Sequence, residues 1–324
     1  MDLVLAILAF CLGVGLLVKG ADWLVDAATR IARHFGVSNF LIGLTVIAFG
    51  TTLPEFGASV MASFYGDSDL ALGNIIGSNI ANIALILGLA GLFVPIALKK
   101  ELYNKEGAVL IFSAILLYLL CLGGTIGRIE GGFLILLFFA YLFFIIRAKK
   151  KQAHKSGNNS LEGNAQVAEK NRHGTYCILK QAAVLAVGLV CVFFGSQLVV
   201  ESAMSFPINQ LLVGLVFVAV GTSLPELFIA ITSLRKGVPE MTVGNIIGSN
   251  IANILWIGGV SAIVNPIKVS PQVIQVDFVF LLLITWLFLF FVSKEKKMAR
   301  TGSLVLLLIY AAFLAGTFAS KAGA

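Results

Sequence analysis

Two glutamates stand where an acid is expensive. Glu55 and Glu226 each lie inside a long apolar run, at the end of GTTLPE (residues 50–55) and GTSLPE (residues 221–226). An acid at membrane depth belongs to an interior site, not to a lipid-facing surface. Two bare carboxylates brought side by side repel, and one takes a proton. A hard divalent cation with oxygen ligands relieves that repulsion. Calcium accepts six to eight oxygens in flexible geometry, whereas magnesium resists dehydration. No histidine or cysteine stands near either motif, which disfavours zinc and copper.

A proline precedes each acid. Pro54 and Pro225 remove a helical hydrogen bond and clash with the preceding turn, and Gly50 and Gly221 stand four residues earlier. Each run is therefore expected to break into two half-helices. In lipid the freed carbonyls are costly unless something bonds them. A cation can, so the carbonyls near Ala48 and Thr51, and near Ala219 and Thr222, are candidate ligands. A second motif, GNIIGSNIAN, occurs at 73–82 and 244–253. Its four-residue spacing puts Ser78 with Asn82, and Ser249 with Asn253, on one helix face. Gly73 and Gly77, like Gly244 and Gly248, follow the small-xxx-small pattern of close helix approach. Singly, a kink, a GxxxG or a buried acid has a purely structural reading. All three coincide here, twice.

The elements that must position these residues are membrane helices. Apolar residues make up 59% of the 324 positions and charged residues only 12%. Soluble domains carry roughly a quarter charged residues, so this chain cannot cover a water-facing surface. Ten apolar segments are expected, at about 2–24, 37–62, 70–95, 106–124, 129–147, 177–203, 208–233, 242–265, 272–293 and 302–320. The first has no basic leader and carries Asp2, so it reads as a transmembrane helix, not a cleaved signal. The polar stretch 147–174 reads as a solvated loop.

Alternating the loops between two sides puts eighteen Lys and Arg on one and three on the other. That bias makes the central loop cytoplasmic and both termini external. It also accounts for the net charge of +7 without nucleic acid. The four cysteines show no disulfide or zinc spacing. Asp22, Asp26, Glu201 and Asp277 fall near helix ends, where interfacial water suffices. His34, His154 and His173 fall in loops. Aromatic-rich runs such as FVFLLLITWLFLFF read as lipid-facing or core.

Residues 41–96 and 212–267 align without a gap at an offset of 171, and GNIIGSNIANI is identical at 73–83 and 244–254. The chain is an internal duplication. Five helices per copy is an odd number, so the copies insert in opposite directions, an architecture common in secondary transporters. The expected fold is thus an all-α polytopic membrane protein of ten transmembrane helices in two inverted-topology five-helix repeats. The halves are 1–147 and 177–324, joined by a cytoplasmic loop at 148–176.

These paired motifs resemble the two alpha-repeats of the calcium:cation antiporter superfamily, specifically the microbial sodium/calcium exchangers. The resemblance runs the length of the chain. It implies calcium ligands Glu55, Glu226 and the carbonyls of Thr51 and Thr222. It implies sodium ligands from Ala48, Thr52, Ser78, Ala219, Ser223 and Ser249, with Asn82 and Asn253 at a central polar position. Thr52 stands where that family often has serine, and Asn253 where it often has aspartate. Potassium-dependent members usually have aspartate at both central positions, so the two asparagines argue against potassium. The implied activity is calcium-for-sodium antiport by alternating access, not enzymatic, with no cofactor beyond the transported ions and the bilayer as surroundings. Calcium/proton antiport and a passive cation channel are the alternatives. The oligomeric state is open, and a monomer is compatible with everything above.

Overall fold

The computed structural model describes residues 3–97, 100–156, 167–205, 221–295 and 297–322. They are mostly helical. In chain order come α1 (Leu3–His34), a bent pair α2 (Asn39–Thr51) and α3 (Leu53–Phe64), then α4 (Ser68–Phe93), α5 (Lys100–Cys121) and α6 (Arg128–Ser156). The second half has α7 (Val167–Met204), α8 (Leu224–Arg235), α9 (Pro239–Val264), α10 (Phe278–Glu295) and α11 (Arg300–Ala322). Among the described residues seven helices are long and apolar enough to cross a membrane, or eight when α2 and α3 count as one bent span. Ten segments were expected. Of the other two, 106–124 falls largely within α5, and the early part of 208–233 lies outside the described residues.

Helix continues into the stretch expected to be a solvated loop: α6 runs on to Ser156 and α7 starts at Val167. Alanine, lysine and glutamine are strong helix formers, so a helix leaving the apolar layer need not stop there. Residues 157–166 lie outside the described residues.

Long helices α1 and α7 pack antiparallel through glycines. Gly13 faces Gly195 and Gly20 faces Gly188, and a Cβ on any of the four would come within 2.9 Å of the facing carbonyl. Leu17 and Leu24 of α1 join Leu185, Val192 and Val199 of α7 in a small apolar cluster that also touches α2, α8 and α9. A much larger cluster joins α2, α4, α5 and α6 to α9, α10 and α11. Outward-facing side chains are apolar too: Leu5, Leu8 and Leu12 on α1, Phe139 and Phe143 on α6, and Trp286 on α10 are all exposed. Such a surface suits acyl chains, not water.

Among the described residues four two-residue strands lie at helix ends: β1 (Ile96–Ala97), β2 (Thr125–Ile126), β3 (Ile267–Lys268) and β4 (Lys297–Met298). β1 pairs antiparallel with β4, Ile96 opposite Met298, and β2 with β3, Thr125 opposite Lys268. Both pairs join one half of the chain to the other. A further tie lies at the turn after α8. Lys236 Nζ sits 2.7 Å from Asp26 Oδ1 and 3.5 Å from Asp22 Oδ1, and it donates to the Asp22 carbonyl at 2.8 Å. These two aspartates, expected to need only interfacial water, also pair with the lysine of that turn.

Candidate cation site

Both breaks fall at the motif. Thr52 leaves the helical geometry (φ −81°, ψ 4°) between α2 and α3, which meet at 44°. Ser223 does the same before α8 (φ −90°, ψ 8°). Pro54 and Pro225 fall within the first two positions of the following half-helix, where a missing N–H costs nothing. Lacking that N–H, they leave the carbonyls four residues earlier, at Gly50 and Gly221, without the usual helical donor. The Ala48 carbonyl, by contrast, accepts the Thr52 N–H at 3.1 Å and the Thr51 hydroxyl at 3.3 Å. Glu55 and Glu226 occupy the first turns of α3 and α8. There the helix dipole favours negative charge.

The two copies meet at these acids. Ser223 Oγ, from the second copy, donates to Glu55 Oε1 of the first at 3.3 Å. Ser249 Oγ donates to Glu226 Oε1 at 3.3 Å. The Thr51 hydroxyl crosses to the second copy and donates to Asn245 Oδ1 at 3.3 Å. The Ser78 and Thr222 hydroxyls are 3.5 Å apart. Among the described residues no cluster of three or more acids, histidines or cysteines forms, so the two glutamates stand with neutral oxygen donors around them.

Glu55, Glu226, Ala48, Thr51, Thr52, Ser78, Asn82, Ser223, Ser249 and Asn253 are all buried, and Thr222 is half-buried. Ala219 lies outside the described residues. The Thr52 hydroxyl turns back to the Phe49 carbonyl at 3.2 Å. Several buried oxygens have no hydrogen-bond partner among the described residues: Glu55 Oε2, Glu226 Oε2, Asn82 Oδ1 and Asn253 Oδ1. Buried and unbonded, such atoms are costly. Two carboxylates with neutral carbonyl and hydroxyl oxygens form a donor set that fits a hard divalent cation.

Four asparagines escaped the reading of the motifs. Asn74 Nδ2 donates to the Glu55 carbonyl at 3.2 Å and to Ser59 Oγ at 2.8 Å. Asn245 receives Thr51, as above. Asn250 accepts from Asn82 Nδ2 at 3.0 Å and donates to the Asn79 carbonyl at 3.2 Å, tying the copies together behind the acids. The signal was present for two of them: Asn74, Ser78 and Asn82 are spaced four apart, as are Asn245, Ser249 and Asn253. At the end of the motif, α4 and α9 widen into π-helical turns, Ala81–Ile86 and Asn253–Ile257, of the kind found at functional sites.

Close packing sets the register of α2 against α9. A Cβ on Gly244 would lie 2.0 Å from the Phe40 carbonyl oxygen, and one on Gly248 would lie 2.2 Å from that of Leu44. Helix approach through small residues is thus realised in the second copy. The positions corresponding to Phe40 and Leu44, residues 211 and 215, lie outside the described residues.

Comparison with known proteins bears on this geometry. The family model described as sodium/calcium exchanger protein matches residues 5–147 and 180–319. Inner membrane protein YrbG of Escherichia coli K12 is 35% identical over 309 residues, covering 94% of each chain. Sodium/calcium exchanger MaX1 of Methanosarcina acetivorans is 30% identical over 342 residues, covering 96% of this chain and 98% of its own. A solved structure of the sodium-calcium exchanger NCX_Mj, soaked with sodium and strontium, superposes with a TM-score of 0.81 at 32% identity. It covers 97% of this chain and 99% of that one.

Proposed function

The chain belongs to the sodium/calcium exchanger protein family, and from that premise we propose that it is an antiporter exchanging calcium for sodium across a cell membrane by alternating access. It is a transporter, not an enzyme, and the two ions are its substrates. One observation carries the reading. Two buried glutamates from the two copies each present one oxygen to a serine and keep the other free of any described hydrogen bond.

Calcium is held by the Glu55 and Glu226 carboxylates with the carbonyls of Thr51 and Thr222. Sodium takes the sites around Ala48, Thr52, Ser78, Ala219, Ser223 and Ser249, and Asn82 and Asn253 stand between them. One calcium neutralises the two acids. Three sodium ions leave one positive charge, because both central positions are neutral amides. An unoccupied, doubly charged site is costly to carry through the barrier, and that cost couples the two fluxes. The moving part is the α1 and α7 pair, which slides or rocks against the remaining helices.

Ten spans arranged as two inverted repeats fit this mechanism. The antiparallel packing of α1 on α7 supports opposite insertion of the copies. The equivalence of β1 with β3 at the repeat offset of 171 supports the duplication itself. The bias of basic residues supports a cytoplasmic central segment and external termini.

The test is calcium uptake into proteoliposomes driven by a sodium gradient. The wild type is expected to accumulate calcium with sodium inside, and Glu55→Gln or Glu226→Gln to abolish it. Uptake that survives both substitutions refutes the site. Uptake driven equally well by a proton gradient without sodium refutes the counter-ion.

A further inference from the structure

Trp256 belongs to the π-helical turn Asn253–Ile257 of α9, three residues beyond Asn253. Its indole stacks on Phe49 (centroids 4.4 Å apart, planes at 26°) and on Phe56 (4.5 Å, 13°). Phe49 lies in the last turn of one limb of the broken helix and Phe56 in the first turn of the other, with Thr52 between them. Phe138 of α6 adds a third, more distant ring at 6.2 Å. In a continuous helix residues seven apart lie about 10 Å apart on one face. An indole that stacks on both is therefore a brace across the break, and it resists any change in the 44° angle between α2 and α3.

The braced rings adjoin the site. Phe49 follows Ala48, and Phe56 follows Glu55. Moving either limb moves a donor relative to the other, and relative to Asn253 on the same turn as the indole. The second copy lacks the aromatic residues for such a brace. The positions corresponding to Trp256, Phe49 and Phe56 at the offset of 171 are Leu85, Val220 and Leu227, none of them aromatic. The duplication has diverged at three positions that act together, while GNIIGSNIANI stayed identical and GTTLPE changed only at Thr52, which is Ser223 in the second copy.

Resting on the exchange reading above, we propose that Trp256 is a positioning residue. It fixes the break of the first copy, so that Glu55 is held in place for the cation. The residue touches no ion and acts through Phe49 and Phe56.

The experiment measures sodium-driven calcium uptake in proteoliposomes against calcium concentration, for the wild type, Trp256→Leu and Trp256→Phe. Leucine copies the second repeat and removes the stacking. Each aromatic pair contributes beyond its buried area, so half-saturating calcium is expected to rise roughly three- to tenfold, with the maximal rate per folded protein within about twofold. Phenylalanine keeps a stacking face and is expected to restore half-saturation to within about twofold of wild type. A merely structural role predicts a different pattern: less folded protein and a lower maximal rate at unchanged half-saturation, and that result overturns the proposal. So does failure of phenylalanine to rescue. A wild type that takes up no calcium overturns the exchange reading itself, and this inference with it, by a result no Trp256 variant can produce.

Discussion

Replacing Gly248 with alanine separates packing from function. Its added Cβ would lie 2.2 Å from the Leu44 carbonyl oxygen and 2.7 Å from the Ala48 Cβ, where ordinary contact starts at 3.4 Å. The obstacle is partly backbone, so α2 must back away from α9 by roughly 1 Å to restore that contact, since cores at close-packed density have no slack. Two opposing terms then set stability. Alanine gains about 1 kcal/mol over glycine inside a helix. Overpacking costs about 1–3 kcal/mol. The net loss is at most about 2 kcal/mol, so the protein still folds. Transport fares worse. Helix α2 carries Ala48 and Thr51, and the Thr51 contact with Asn245 is already long at 3.3 Å. A displacement of about 1 Å at a reacting site can cost on the order of a hundredfold. Calcium uptake in proteoliposomes is therefore expected to fall at least tenfold, with only a modest loss in thermal stability. Wild-type uptake and half-saturation in Gly248→Ala would refute the claim that this crossing sets the site.

Other substitutions probe the surroundings. Gly15→Ala, at an exposed position of α1 with nothing within 4 Å of an added Cβ, is expected to leave transport intact and raise stability by up to about 1 kcal/mol, read by thermal unfolding. Asn250→Ala strips two buried hydrogen bonds and orphans the Asn82 amide. The expected cost is about 1–3 kcal/mol in the same assay. Lys236→Met removes a partly exposed ion pair to Asp22 and Asp26. It should cost no more than about 1 kcal/mol, and the difference from wild type should shrink at high salt.

What the sequence disclosed was local or repeated. Pro54 and Pro225 announced both breaks because a missing N–H is a chemical fact independent of context. Glu55 and Glu226 announced a shared site because neither is tolerable alone at that depth, and the offset of 171 supplied the partner. Contacts between distant segments were not legible. Asp22 and Asp26 looked like interfacial residues because Lys236, their partner, is more than two hundred positions away. Nothing in the sequence marked Trp256, since stacking on Phe49 and Phe56 exists only after α9 crosses the break. The helical ends of the central polar stretch were missed for another reason: charge signalled exposure to water, which does not forbid helix.

The four short strands limit how the molecule can move. Each pair takes one strand from either half, β1 with β4 and β2 with β3, so the two halves are stitched to each other at both seams. A clamshell that parts along the duplication boundary would have to tear those stitches on every cycle. Helices α1 and α7 contribute no strand to either seam; they grip one another along a glycine track. On the proposed mechanism the molecule is accordingly partitioned across its own ancestry, with a fused block made from parts of both copies and, as the part that slides, one helix from each.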